Sequence, residues 1–283
     1  MISSPRPFEP TMIKRVNRAL PTSACTVIVE TDCGSGYLKA MGNDEGPWIL
    51  GSELIGTRLA DWLGLSTFEH SIIEVMEYNN IRFHNGKIAI PGPGFITRSE
   101  VGDQWDGTSK QLDSLSNPED IGRLIVFDTW TLNCDRHSVS GDGASARTRR
   151  NLGNVFLAAD LEPGKLQLKA MDHTHCFTCG RSVSPKVSEI TKILDPRVFG
   201  CFPEFRKKLS RLDVQNASKD LGALTKGDLD AAIIGIPKQW DISVESLKEL
   251  AKLLFERGRY VADTIEEKLW PQKELDFASG DES

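Results

Sequence analysis

Cysteine, long apolar runs and excess positive charge are all scarce in this chain, and each scarcity excludes something. Six cysteines in 283 residues (Cys25, Cys33, Cys134, Cys176, Cys179 and Cys201) are too few and too scattered for a disulfide scaffold. Reduced thiols and a cytoplasmic location are the expectation. No apolar stretch approaches the ~20 residues that span a bilayer. The opening MISSPRPFEPTMIKR has no apolar centre of the kind a secretory signal carries, so no membrane is expected as a partner. Lysine and arginine number 34 against 40 acidic residues, a formal charge of −6, which argues against nucleic acid gripped through its phosphates. What is present, 39% hydrophobic and 26% charged residues without an internal repeat, suits a globular chain forming one large domain or two lobes around a cleft.

Residues 1–23 are polar and proline-containing and read as an arm outside the core. Thr26–Glu30 (TVIVE) is β-rich, Asp32–Gly36 (DCGSG) is a turn, and Tyr37–Met41 reads as the returning strand. Leu50, Leu54, Ile55, Leu59, Trp62 and Leu63 recur at helical spacing, with Gly64 just past the end. His70–Met76 and Phe95–Arg98 read as further strands, giving a β–β–α–β–β lobe over residues 24–100. Residues 101–272 form a second lobe that is mostly helical. It contains a helix over Pro118–Asn133, a hairpin over Asn154–Asp172 and a long amphipathic helix over Val244–Leu269. The tail, 273–283, is expected to be disordered. The fold class is therefore α+β, with a small mixed N-lobe and a helical C-lobe.

The chemistry-bearing residues follow that frame in order. Lys39 sits on a strand behind the glycine-containing turn Gly34-Ser35-Gly36, where a lysine can hold nucleotide phosphates; a surface lysine is the blander reading. Glu53 lies on the following helix, within reach of such a lysine, or serves simply as a first-turn acid. Asn133-Cys-Asp-Arg-His137 follows a helix in a loop, and Asp135 there can orient an attacking hydroxyl or merely cap the next element. Asn154 and Asp172 flank a hairpin whose ends return to one place, so their oxygens should lie together, as magnesium requires. Together these five positions have the order of a two-lobed protein-kinase-like fold. His173, His175, Cys176 and Cys179 (HTHCFTC) offer a rival zinc reading, although four ligands from one short run suit a tetrahedral site poorly.

The segments GYLKAM, GSELIGTRLADWLGL, FDTWTLNCDRH, NLGNVFL and KAMDHTHCF, with IPKQW and LAKLLFERGRYV further on, resemble the HipA-like kinases, a group related in fold to phosphatidylinositol 3- and 4-kinases. The resemblance runs from about Thr26 to about Trp270. It implies ATP and Mg2+ as cofactors and transfer of a phosphoryl group to a hydroxyl, in a protein serine or threonine. Lys39 would bind ATP phosphates, Asp135 would be the base with His137 as a second candidate, and Arg136 would brace the loop. Asn154 and Asp172 would hold magnesium, and Phe95, Ile96, Thr97 and Arg98 would lead into the adenine-reading hinge. Implied partners are ATP, a protein substrate and a regulatory partner protein. A small-molecule kinase or a nucleotide-binding pseudokinase scaffold is the alternative. The family's magnesium-binding asparagine falls close behind the loop aspartate. Here Ser140 stands in that place, and SVSGDGASARTRRNLG separates it from Asn154. This stretch reads as an extruded, mobile insertion, with Ser140 or Asp142 as alternative ligands if it is not one.

Overall fold

The computed structural model describes residues 7–141 and 146–271. The tail 273–283 and Asp142 lie outside the described residues. Three strands open the chain, β1 (Ile13–Ala19), β2 (Val27–Thr31) and β3 (Gly34–Lys39). They are followed by α1 (Trp48–Trp62), β4 (His70–Val75) and β5 (Gly92–Arg98). The sheet is antiparallel, in the order β1-β2-β3-β5-β4. Successive side chains alternate between its faces. Val27, Val29, Leu38, Ile73, Val75 and Ile96 pack on one face with Phe8 and Phe83. Tyr37 and Lys39 pair in register with Thr97 and Phe95 on the other.

The arm expected over residues 1–23 is in part a strand. β1 has a single buried side chain, Ile13, and pairs only on its β2 side, as an edge strand does. Its polar sequence IKRVNRA hides it because an edge needs backbone pairing more than apolar burial. The β2–β3 turn reverses at Gly34, whose φ of +106° favours glycine. A side chain at Gly36 would bring its Cβ within 2.7 Å of the Thr97 carbonyl oxygen, so this glycine serves the close approach of β5.

α1 is buried on nearly every side. Its first half packs with Phe95 and Trp240, and its second half joins the C-terminal core through Ile55 and Leu59. It therefore spans the space between the sheet and the helices that follow.

The remaining chain contains β6 (Gly102–Gln104), α2 (Ser109–Asp113), α3 (Asp120–Thr131), β7 (His137–Ser140), β8 (Arg147–Arg150), β9 (Val155–Ala159) and β10 (Leu166–Ala170). After these come α4 (Ile190–Ile193), α5 (Pro203–Lys208), α6 (Arg211–Gly222), α7 (Lys226–Ile233) and α8 (Val244–Leu269). β10, β9 and β6 form a small antiparallel sheet. α3 packs between α6 and α8, and Trp130 donates its indole N–H to the Leu254 carbonyl at 2.8 Å. The carbonyls at the end of a helix have no partners within it. Here the fully buried Arg257 of α8 donates to the carbonyls of Thr129 and Trp130, fixing the end of α3 from which the Asp135 loop departs.

The stretch expected as an extruded loop carries two paired strands among its described residues. β7 and β8 pair antiparallel, with His137 opposite Arg150 and Ser140 opposite Arg147. Alternating valine, threonine and arginine support this pairing despite the polar composition.

Candidate functional site

A cavity of about 690 Å³ lies against the inner face of the five-stranded sheet. Lys39, Glu53, Phe95, Asp135, Asn154 and Asp172 are among the residues lining it. Strand alternation points Lys39 inward, and its Nζ donates to Glu53 Oε2 at 2.8 Å and to Asp172 Oδ1 at 3.0 Å. The lysine thus links α1 to the segment leaving β10. Burial alone would lower its proton affinity, but Asp172 and Glu53 outweigh that and hold it above the ordinary lysine value. Burial pushes Glu53 up despite Lys39, and Glu53 also accepts the His173 backbone N–H at 3.0 Å. Asp172 is half-buried, which pushes it up, yet Lys39 and Thr174 bring it below the usual carboxylate range. Its φ of 57° turns the chain sharply at the end of the hairpin.

α3 ends at Leu132, which adopts a left-handed φ of 56°, and the loop that follows is organised by the fully buried Asp128. Asn133 Nδ2 donates to Asp128 Oδ1 at 2.9 Å and Arg136 Nε to Oδ2 at 2.8 Å. A terminal nitrogen of Arg136 also donates to the Met171 carbonyl at 3.0 Å, tying this loop to the residue before Asp172. Asp135 is left aimed at the cavity. Its Oδ2 accepts from Asn154 Nδ2 at 2.7 Å and Asn151 Nδ2 at 3.1 Å, and Arg149 lies 2.5 Å from Oδ1. Burial raises the proton affinity of Asp135, but His175, Asn154 and Arg149 together hold it well below the carboxylate range.

The structure brings Lys39, Glu53, Asp135, Asn154 and Asp172 to one cavity and disperses other residues. Gly34, Ser35 and Gly36 lie toward the opposite end of β3 from Lys39, about three to five steps of ~3.3 Å away. Consecutive turns of an antiparallel meander fall at opposite ends of the sheet. The turn at the cavity is therefore the β1–β2 connection, where Leu20, Pro21, Thr22, Ser23 and Thr26 line the opening. Phe95 and Thr97 face the cavity. Ile96 packs into the opposite core, and Arg98 pairs with Glu69 and lies over the Phe8 ring. His137, a candidate base from sequence, packs its ring 5.1 Å from Phe202, and burial followed by Arg150 lowers its proton affinity.

Two residues to which the sequence reading gives no part at Asp135 reach it. Asn151 bonds both Asp135 and Asn154, and the three-residue spacing N-L-G-N in a tight 3₁₀ turn was the available signal. His175 Nδ1 stands 3.5 Å from Asp135 Oδ2 and its Nε2 3.7 Å from Glu45 Oε2. The Asp135 contact is the leading cause of its raised proton affinity. The zinc reading of this run loses its geometry: His173 is buried with its ring 5.2 Å from that of Phe127, and Cys176 faces Thr131. Among the described residues no group of three or more His, Cys, Asp and Glu could hold a metal.

An antiparallel-sheet N-terminal region followed by a largely helical C-terminal part makes this a kinase-like α+β fold. No protein-family model matches the chain, and no curated protein matches it by sequence. Nineteen solved chains match it in structure. Among them is the crystal structure of a Helicobacter pylori proinflammatory kinase, CtkA, which is 13% identical with a TM-score of 0.56. The match covers 92% of this chain and 96% of that one. At that identity the likeness is one of fold.

Proposed function

We propose that this protein transfers the γ-phosphoryl group of ATP to a hydroxyl, on a serine or threonine of a protein substrate, as the resemblance to HipA-like kinases implies. One observation carries the reading. Lys39, held between Glu53 and Asp172, lines the same cavity as Asp135 and Asn154. A lysine fixed by a helix glutamate is how kinases hold nucleotide phosphates.

The donor set fits Mg2+. Asp172 and Asn154 present hard oxygens to the cavity, and one lysine against two carboxylates leaves a negative charge there. Those two residues would hold the metal, which would supply positive charge to offset the charge that develops on the phosphates. Every other role falls to the chain. Lys39 positions phosphate, Phe95 and Thr97 offer a surface for the base, and the loop at Leu20–Thr26 covers the opening. Asp135 orients the acceptor hydroxyl. Its hydrogen bonds make it a weak base at rest, which suits a loose transition state in which the proton leaves late. Arg136 keeps the loop in place without touching the cavity.

The test is incubation with γ-labelled ATP and Mg2+, then mass spectrometry of the enzyme and of protein acceptors. Wild type should transfer label to hydroxyls, and Asp135→Ala should lose about 10²–10⁴-fold in rate while still binding ATP. Binding without transfer in the wild type would replace this reading by that of a pseudokinase.

A further inference from the structure

Cys134 immediately precedes Asp135, and Cys179 lies in the turn-rich segment that also carries His175. Three contacts press these segments together. The Phe177 N–H donates to the Thr131 carbonyl at 2.6 Å, Cys176 Sγ lies 3.6 Å from Thr131 Oγ1, and His175 Nδ1 lies 3.5 Å from Asp135 Oδ2. Between these anchors Cys134 and Cys179 interact, each being the leading influence on the other's proton affinity. Cys179 is exposed, on a residue whose φ of 53° pushes it out of regular structure. Neither cysteine has a part in the phosphoryl-transfer reading.

We propose that Cys179 and Cys134 form an oxidation site for hydrogen peroxide, closing reversibly to a disulfide that ties the Asp135 loop to the His175 segment. Cys179 is the attacking sulfur and Cys134 the resolving one. The assignment follows exposure, because Cys179 faces solvent and Cys134 lies half-buried behind it. It follows charge as well, since His175, Arg181 and Arg197 act on Cys179. The interaction with Cys134, assisted by those cations and opposed by burial, lowers the Cys179 thiol to about 7, so much of it is thiolate at neutral pH. The same interaction raises Cys134, and burial raises it further. Elsewhere, burial pushes Cys25, Cys176 and Cys201 up, which keeps them unreactive.

The chemistry balances. The Cys179 thiolate attacks one peroxide oxygen, the O–O bond breaks, and hydroxide leaves to give a sulfenic acid. That step removes the negative charge that kept Cys134 protonated. The Cys134 thiolate then attacks the Cys179 sulfur and displaces hydroxide, and the released protons convert both hydroxides to water. Two thiols are oxidised and one peroxide is reduced to two waters. A cellular dithiol reverses the reaction by exchange.

The experiment treats the folded full-length protein with equimolar hydrogen peroxide at neutral pH, traps free thiols by alkylation, and maps the peptides by mass spectrometry. Wild type should lose two of its six free thiols, yield a Cys134–Cys179 linked peptide, and recover both thiols with dithiothreitol. Cys134→Ser should stop at a Cys179 sulfenic acid that dimedone captures, and Cys179→Ser should keep its thiols at the same dose. A wild type that retains all six thiols, or links a different pair, overturns the proposal, as does a folded Cys179→Ser protein that reacts as fast as wild type. The deciding peptide is read on the unmutated protein, so a variant that fails to fold leaves the test intact. Because the readout is a mass, failure here is separate from failure of the kinase reading.

Discussion

Lys39 and Arg136 are both cations with carboxylate partners near one cavity, and they differ in what surrounds the charge. Arg136 and Asp128 are each 0% exposed at the side chain, one cation to one anion, and the remaining Arg136 hydrogen bond goes to a backbone carbonyl. Lys39 is shared between two carboxylates from distant parts of the chain and stays 12% exposed along the cavity. A sealed, balanced pair is architecture. An open pair with surplus negative charge is prepared to meet another cation and an anionic ligand.

Breaking the sealed pair should have the largest effect on the fold. Arg136→Met strands Asp128 as an unpaired buried carboxylate, at about 3–5 kcal/mol. Thermal denaturation should show a fall of roughly 10 °C; an unchanged melting temperature would remove the architectural half of the contrast. Lys39→Met should act the other way round. ATP affinity measured by calorimetry should drop about 10–100-fold, the loss of one or two charge-assisted hydrogen bonds. The melting temperature should fall less than in Arg136→Met, since Glu53, already pushed up by burial, can take up a proton.

A third prediction concerns the charge that opposes Lys39 across the site. His175 is raised above its ordinary 6.5, chiefly by its hydrogen bond with Asp135. A group raised in the folded state contributes stability that is fully present below its unfolded pKa and lost as pH rises through the folded one. The stability difference between wild type and His175→Gln should therefore be greatest at about pH 6 and shrink at alkaline pH, as urea denaturation at several pH values would read. In the same window transfer should quicken with pH, as Asp135 loses a cationic neighbour. A stability difference that grew with pH would reverse the assignment. The smallest effect is expected at the glycine turn. Gly34→Ala should destabilise by about 1 kcal/mol, because its φ is positive. It should leave ATP affinity unchanged, because this turn lies away from the cavity.

Where the sequence was legible, local pattern and tertiary need agreed. The helical period around Leu50–Leu63 placed Glu53 on α1, and two strands joined by a short connection placed Asn154 and Asp172 at neighbouring ends. Where it was not, the deciding fact was a pairing between distant segments. β1 reads as polar because an edge strand buries little, and missing it shifted attention to the wrong turn, from Leu20–Thr26 to Asp32–Gly36. Asn151 and Arg149 sit in a stretch whose composition suggests a loop, and the register of β7 with β8 is what directs them toward Asp135. His137 stood beside Asp135 in sequence, yet strand alternation carried its ring to Phe202.

The central claim, that the cavity binds ATP through Lys39 and a magnesium held by Asp172, is tested most directly by calorimetric titration of ATP into wild type and Asp172→Ala, with and without Mg2+. The account predicts one site in wild type whose affinity rises at least tenfold with Mg2+, and an Asp172→Ala protein that remains folded and gains nothing from the metal. Equal affinities in the two proteins, or binding indifferent to Mg2+ in both, would contradict it.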